Sequence, residues 1–279
     1  MSVSRYLSLF FVCGVALVGP RPADAACGSV INVDTHDGTT TSLTLAGMPA
    51  ASGKLIVLLV GGGGYLALGR DGCPARLKGN SLVRMRPLFH SMGYATALVD
   101  APSDHQSRDG LGGFRTDPDH AKDIGAVITE MRRRTGLETW LAGTSRGAIS
   151  AANAAARLRG SDAPDGLVLT SPVTEGLDGA LKSWVEQDVF DLPLGQIRMP
   201  VLVAVHREDK CVRTPPQLGS EIIAKTESPR EQFAVVTGGP GWPGGVGGEA
   251  CRGRSPHGFL DQEPEVASGI VRFIGGGTF

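Results

Sequence analysis

The chain has 279 residues, 40 of them glycine, and a formal net charge of −1 at neutral pH. This length is enough for a single α/β domain with a sizeable buried core. The near-neutral charge, without a long block of like charge, argues against binding to nucleic acid or to an anionic membrane surface.

The first 26 residues have the pattern of a secretory signal peptide. Arg5 supplies a positive charge, Tyr6 to Gly19 form a mostly apolar run, and Ala23-Asp24-Ala25 supplies small residues for cleavage. The apolar run is too short to span a bilayer comfortably. We therefore expect an exported protein, periplasmic or secreted, without a stable membrane span and with a mature domain of residues 27–279.

Export would place the remaining cysteines in an oxidising compartment. Cys13 leaves with the signal, and four cysteines remain: Cys27, Cys73, Cys211 and Cys251. An even number predicts disulfides, and three pairings are possible. No pair has the close spacing of a zinc site or a redox motif, so no metal is expected. A lipid anchor on Cys27 is the alternative, although Asp24 fits a lipoprotein cleavage box poorly.

The chain after the signal begins with a predicted hairpin and a buried strand. Ser29 to Thr35 and Thr41 to Ala46 alternate as strands do, with Asp37-Gly38 as the turn between them. Lys54 to Val60 is continuously apolar beyond its lysine, which is typical of a central parallel strand. Four glycines, Gly61 to Gly64, follow that strand. They suit either a phosphate loop, for which the lysine motif is missing, or a loop that binds an oxyanion.

Strands and helices then alternate to the end of the chain. Predicted helices cover Leu82 to Met92, Asp117-Pro118 to Gly136, Ala148 to Leu158, Leu218 to Lys225 and the region of Val266 to Ile274; predicted strands cover Ala95 to Val99, Thr139 to Ala142, Gly166 to Thr170, Val201 to Val205 and Gln232 to Val236. This order predicts one α/β domain with a mostly parallel central sheet, helices on both faces and an antiparallel edge hairpin. Val173 to Gln196 is predicted to be partly helical and is the one candidate for a small cap.

The pentapeptide Gly143-Thr144-Ser145-Arg146-Gly147 lies between a predicted strand and a predicted helix. Strand, Gly-x-Ser-x-Gly and helix together are the pattern of a nucleophile elbow, in which a sharp turn presents the serine hydroxyl. The alternative interpretation is a glycine-rich turn whose serine is merely exposed to solvent.

A serine nucleophile needs a base and an orienting acid, which belong at the carboxyl ends of parallel strands. Asp209 follows the strand that ends at Val205, with Glu208 as its rival. His257 lies in the loop between the last strand and the last helix, with His206 as its rival. Other histidines are less suitable: His36 lies in the hairpin, and His90 and His120 are expected on the surface.

With these residues, the chain resembles the α/β-hydrolases over roughly Lys54 to Ile274. The order Ser145, Asp209, His257 matches the order of nucleophile, acid and histidine in that fold. Within that fold family, the chain resembles the esterases and lipases or the dienelactone-hydrolase-like enzymes.

The resemblance implies an oxyanion hole made of backbone N–H groups and implies no cofactor. Its donors are Arg146 and either Gly62 or Gly63, with Gly64 as a further candidate. Many members have His-Gly after the third strand, where this chain has Gly61-Gly62.

The positions of Asp209 and His257 favour one disulfide pairing. Cys211 lies two residues after Asp209, and Cys251 lies six residues before His257. A bond between them would tie the acid loop to the histidine loop. Cys27 would then pair with Cys73 near the oxyanion loop.

The sequence therefore predicts an exported serine hydrolase that cleaves a small-molecule carboxylic ester. A serine peptidase or amidase on the same fold is the nearest alternative, and a binding protein that has lost its chemistry is a third. The loops expected to line the substrate pocket show no pattern that names a substrate. Arg84 and Arg86 are expected to be solvated rather than to bind an acidic substrate.

Overall fold

A computed structural model describes Met1 and residues 27–47, 53–241 and 244–279. The expected signal peptide lies outside the described residues, apart from Met1. In the described part of the chain, eight strands form one sheet in the order β1-β2-β4-β3-β5-β6-β7-β8. The first two pairings, β1 with β2 and β2 with β4, are antiparallel, and all the others are parallel.

The elements confirm the predicted alternation, with bounds that differ by at most three residues. The strands are β1 Ser29–Asp34, β2 Thr40–Ala46, β3 Leu55–Leu59, β4 Ala95–Val99, β5 Thr139–Thr144, β6 Gly166–Thr170, β7 Val201–His206 and β8 Glu231–Val236. The α-helices are α1 Ser81–Ser91, α2 Pro118–Thr135, α3 Arg146–Arg157, α4 Gly219–Ala224 and α5 Glu263–Ile274.

Local chemistry sets several of these ends. The hairpin turn contains Asp37 and Gly38, both with positive φ (46° and 73°), which suits a tight turn between antiparallel strands. The Asp117 side chain accepts a hydrogen bond from the Asp119 N–H and caps α2. Gly136 ends α2 in the left-handed conformation (φ 68°) that glycine adopts without steric cost.

The core lies on both faces of the sheet. Strands β3, β4, β6 and β7 are buried at every residue, as continuous apolar runs in a parallel sheet require. One apolar layer packs α2 and α3 against the sheet, and a second layer packs α1 and α5 against the opposite face. The carboxyl ends of the parallel strands lie at one edge of the sheet, and the loops that follow these strands come together there.

The segment between β6 and β7 is less helical than predicted. Val173 to Gln196 contains three short 3₁₀ turns and no α-helix. This irregular segment, called the strap below, lines a cleft beside Ser145 with Val173, Trp184 and Val185. Val189 of the strap is fully buried. In the described part of the chain, no helix is both long and apolar enough to cross a membrane.

Two expectations about exposed side chains are wrong. His120 lies on the inner face of α2, only 4% exposed, and His90 is half-buried against Thr96. Arg86 is 5% exposed and donates to the Cys27 carbonyl oxygen at 3.0 Å. Arg84 pairs with Glu263 of α5 at 2.6 Å. These arginines join elements of the fold, so they are not available to a substrate.

Candidate active site

Ser145 lies at the turn between β5 and α3 in a strained backbone conformation. Its φ is 54° and its ψ is −125°, a region that costs a residue with a side chain on the order of 1–3 kcal/mol. The flanking glycines make the turn possible. A Cβ on Gly147 would meet the Leu59 carbonyl oxygen, and one on Gly143 would meet the backbone of Gly147. The sequence pattern of a nucleophile elbow thus coincides with its strained geometry.

Asp209 and His257 form a buried pair. Their Oδ2 and Nδ1 atoms are 2.9 Å apart, and the two residues are 6% and 3% exposed. Asp209 lies three residues beyond β7, and His257 lies in a 3₁₀ turn between β8 and α5. The His257 carbonyl oxygen accepts a hydrogen bond from Ser171 Oγ at 2.8 Å. His257 is therefore held by two hydrogen bonds, one at its ring Nδ1 and one at its backbone carbonyl oxygen.

The rival residues face elsewhere. Glu208 is exposed to solvent. Both ring nitrogens of His206 are engaged: Nδ1 accepts from the Glu208 N–H at 3.0 Å, and Nε2 lies 3.2 Å from the Gly238 carbonyl oxygen. His206 therefore has no nitrogen left to serve Ser145.

Ser145 and His257 line the same cleft. Its volume is about 720 Å³, part of it open to solvent, and Gly61 and Gly62 form its other side. Among the described residues, no hydrogen bond joins Ser145 Oγ to His257. Such bonds are often long in an enzyme without substrate and tighten when the substrate binds.

Thr214 completes the support of the carboxylate. Its Oγ1 donates to Asp209 Oδ2 at 2.8 Å and lies 3.1 Å from His257 Nδ1. The Cys211 N–H donates to Asp209 Oδ1 at 2.9 Å. Both carboxylate oxygens thus have partners, as buried charge requires. A threonine five residues after an aspartate has no sequence signature, so sequence reasoning missed Thr214.

Two disulfides form among the described residues, and one of them borders the cleft through Cys251. Cys211 is bonded to Cys251 and Cys27 to Cys73, with Sγ–Sγ distances of 2.05 and 2.01 Å. The first joins the loop that carries Asp209 to the loop that carries His257. Because the Cys211 sulfur is oxidised, it offers no thiolate to a metal beside Asp209 and His257.

The glycine loop after β3 passes directly beside Ser145. A Cβ on Gly61 would lie 2.9 Å from Ser145 Cβ, so the loop can approach this closely only with glycine there. Gly62 has a φ of 59° and lines the cleft. The Gly64 N–H already donates to the Gly61 carbonyl oxygen at 3.2 Å. The Gly63 carbonyl oxygen accepts from the Leu111 N–H at 2.8 Å, which ties the loop to its neighbour.

A buried polar cluster supports the glycine loop from behind. Arg115, 2% exposed, donates to the carbonyl oxygens of Val60 and Gly62 at 3.1 and 3.2 Å and to Ser150 Oγ at 2.7 Å. Burial, reinforced by the positive charge of Arg146, lowers the pKa of Arg115 well below its ordinary value. His120 Nε2 lies 2.8 Å from the same Ser150 hydroxyl. No motif in the sequence predicts this cluster.

A second cleft of about 630 Å³ opens on the other side of Ser145. Arg146 and Arg213 line it, and the Arg146 guanidinium lies 3.9 Å from the centre of the Trp184 ring. Burial, together with the charge of Arg213, lowers the pKa of Arg146 to about 10, so the group is still cationic at neutral pH. In the described part of the chain, no carboxylate lies within 4 Å of either guanidinium. Asp109, the acidic group that acts on Arg146, is paired with Lys182.

Comparison with known proteins identifies solved structures of the same architecture. A complex of DcsB with its substrate analogue matches with a TM-score of 0.60 and 16% identity, over 90% of this chain and 99% of the other. Est1E from Butyrivibrio proteoclasticus matches with 0.58 and 18%, over 88% and 98%. A proline iminopeptidase from Mycobacterium smegmatis matches with 0.58 and 12%, over 89% and 98%.

The chain has the α/β-hydrolase fold. At these identities the likeness shows the fold alone, because this fold carries several different activities. No family model matches the sequence, and no curated protein matches it either. The activity must therefore be argued from the site itself.

Proposed function

We propose that the protein is a serine hydrolase whose preferred substrates are small carboxylic esters. One observation carries the proposal: a serine in the strained conformation of a nucleophile elbow shares a cleft with a histidine that is hydrogen-bonded to a buried aspartate. Ser145 is the nucleophile, His257 the general base and Asp209 the group that orients and stabilises the imidazolium.

The reaction follows from the roles of these groups. Ser145 Oγ attacks the ester carbonyl carbon and transfers its proton to His257. The backbone N–H groups of Arg146 and Gly62 stabilise the oxyanion; Arg146 is the first residue of α3, where N–H groups lack a helical carbonyl partner. His257 then protonates the leaving alcohol, and a water molecule activated by the same histidine hydrolyses the acyl-enzyme.

We favour small esters over peptides because the strap between β6 and β7 contains only 3₁₀ turns and builds no second domain beside the cleft. Solved structures of the same fold include esterases and an iminopeptidase, so an amidase is the second candidate. Two disulfides support an oxidising compartment and hence export.

Ser145→Ala tests the nucleophile. We expect kcat/KM toward 4-nitrophenyl butyrate to fall by at least about 10⁴-fold, as it does when a serine nucleophile is lost. A fluorophosphonate probe should label the wild-type protein at Ser145 only. Ser220→Ala, which changes an exposed serine, is the matched control and should leave the rate unchanged.

The outcomes separate the candidate functions. Labelling of Ser145 with faster turnover of aminoacyl 4-nitroanilides than of esters would favour an amidase. A folded protein that neither reacts with the probe nor hydrolyses either substrate class would be a binding protein on a hydrolase scaffold.

The cationic cleft adds a preference to this function. Arg146 and Arg213 lie beside the nucleophile, and neither forms an ion pair within 4 Å among the described residues; Asp109 acts on Arg146 and Asp188 on Arg213 only at longer range. Arg213 is held by backbone carbonyl oxygens, with its Nη2 2.9 Å from that of Gln187. An ester that carries a carboxylate at the far end of its acyl chain would neutralise this charge in a partly desolvated site.

Paired substrates of equal length test the preference. We expect kcat/KM for mono-4-nitrophenyl adipate to exceed that for 4-nitrophenyl hexanoate by about tenfold, the effect of one charge-assisted hydrogen bond. Arg213→Gln should remove most of this ratio while hexanoate hydrolysis changes little. Arg133→Gln, an exposed arginine on α2, is the control. A ratio near one in the wild-type protein would refute the preference.

A further inference from the structure

A group of histidine and aspartate side chains lies at the edge of the sheet, in residues that the proposed reaction does not use. Because β2 is antiparallel to both β1 and β4, the segments that follow β1 and β4 emerge at the same end of the sheet. His36 follows β1, and Asp104 and His105 lie in the 3₁₀ turn that follows β4. The Thr40 N–H donates to Ser103 Oγ at 3.2 Å and joins the two segments.

The distances within the group fit a metal ion. Asp104 Oδ2 lies 3.1 Å from His36 Nε2 and 3.7 Å from His105 Nε2. One ligand atom from each of the three residues lies within 4.8 Å of the other two. Tetrahedral zinc with bonds of about 2.0–2.1 Å places neighbouring ligand atoms roughly 3.4 Å apart. Asp104 is exposed and the two histidines are partly buried, and small rotations of the three side chains would close the difference.

The other nitrogen of each histidine already has a hydrogen-bond acceptor. His36 Nδ1 lies 2.7 Å from Asp123 Oδ2, and the His36 N–H donates to Asp123 Oδ1 at 2.9 Å. His105 Nδ1 lies 3.2 Å from the Gly110 carbonyl oxygen. A carboxylate or carbonyl on one ring nitrogen fixes the tautomer that presents a lone pair on the other. Both histidines therefore direct Nε2 toward Asp104.

The surroundings hold both rings in place. Phe114 stacks on His105 with ring centres 4.3 Å apart and contacts His36 at 4.7 Å. Asp123, the partner of His36, is only 4% exposed. Asp104, by contrast, is a half-exposed side chain, so solvent reaches the site from its side.

We propose that His36, Asp104 and His105 form a zinc site, with water as the fourth ligand. Two imidazoles and one carboxylate are donors that zinc accepts, and three protein ligands leave one position open. The ion would join the hairpin to the loop after β4. That loop continues to Leu111, whose N–H donates to Gly63 of the glycine loop. Zinc would therefore stabilise the loop that supports the proposed oxyanion hole.

In the absence of metal, the same residues form an ion-paired cluster. Burial disfavours the charged form of His36, but its hydrogen bonds to Asp123 and Asp104 outweigh this effect and raise its pKa. An ion pair alone predicts no binding of zinc and no effect of zinc on thermal stability. The two interpretations are therefore distinguishable.

Isothermal titration calorimetry with ZnCl₂ tests the site on the chain without its expected signal peptide, residues 27–279. The protein is purified without a histidine tag, and bound metal is first removed with EDTA. We expect one zinc per chain and a higher Tm when zinc is added. Asp104→Asn and His105→Ala should each weaken binding at least tenfold. Asp104 is half-exposed, so its variant should fold, which circular dichroism would verify.

His90→Gln is the matched control, because His90 is half-buried on α1 and lies outside the cluster. It should bind zinc as the wild-type protein does. A dissociation constant for zinc above about 100 µM, or no detectable binding, would overturn the proposal. Binding of equal strength in wild type, Asp104→Asn and His105→Ala would also overturn it, by placing the ion elsewhere. Neither result bears on Ser145, so this test is independent of the proposed hydrolase activity.

Discussion

At the scale of single residues, the Thr214 hydroxyl supports the proposed catalytic pair, Asp209 and His257. Its Oγ1 donates to Asp209 Oδ2, the same carboxylate oxygen that lies 2.9 Å from His257 Nδ1. Because Asp209 is nearly fully buried, each lost partner leaves charge poorly compensated. We therefore expect this bond, together with the one from the Cys211 N–H, to fix the position of the carboxylate and the direction of the imidazole.

Thr214→Val should therefore lower kcat about tenfold with little change in KM, since a hydrogen bond to a buried charge contributes on the order of 1.5–3 kcal/mol. Steady-state kinetics with 4-nitrophenyl butyrate would measure the effect. Thr214→Ser keeps the hydroxyl and should restore most of the rate. Equal activity of the valine and serine variants would show that the hydroxyl has no positioning role.

At the scale of elements, the two disulfides offer a comparison within one protein. They span similar stretches of chain, with sequence separations of 46 and 40 residues. In the chain-entropy model their effects on the unfolded state are therefore nearly equal, at about 4 kcal/mol each. They differ in place: only Cys211–Cys251 joins the loops that carry Asp209 and His257.

Replacing Cys211 and Cys251 by serine should lower kcat/KM by about tenfold or more, because the glycine-rich loop before His257 loses its tie. Cys27→Ser/Cys73→Ser is the matched control and should lose similar stability while keeping activity within about threefold. Kinetics at 25 °C and denaturant unfolding would supply both quantities. Equal activity losses in the two double variants would count against a positioning role.

At the scale of the whole molecule, buried histidine links stability to pH. Burial, then the charges of Arg115, His105 and His36, lower the pKa of His120 well below 6.5, so it is neutral in the folded protein. The unfolded chain binds a proton near pH 6.5, which the folded state does not. Stability contributed by neutral His120 is therefore present above pH 6.5 and is lost as pH falls below it.

When the pH falls from 7 to 5, protonation of His120 in the unfolded chain should lower the free energy of unfolding by about 1–2 kcal/mol. Denaturant titrations at both pH values would measure the loss. His120→Gln can still bond to Ser150 but does not titrate, so its stability should fall less over the same interval. Parallel stability curves for the wild type and the variant would contradict the prediction.

Much of this architecture follows from local sequence. Continuous apolar runs identify the buried strands, 3.6-residue periodicity identifies α2 and α5, and Asp117-Pro118 and Gly136 mark the ends of a helix. The glycine-flanked Ser145 between a strand and a helix is likewise a local pattern. Strand order then places Asp209 and His257 near one edge, because parallel strands end together.

Tertiary structure alone decided what lies around these residues. Thr214, Arg115 and the His36 cluster depend on contacts between segments far apart in sequence, such as the 87 residues that separate His36 from Asp123. The burial of His120 and Arg86 has the same origin, since a helical position does not show how its neighbours pack. Sequence by itself determined the order of elements and the position of the proposed nucleophile, whereas packing decided which polar side chains are desolvated and what they contact. The physical reason is that periodicity is encoded within a few residues, while desolvation and hydrogen-bond partners depend on the whole fold.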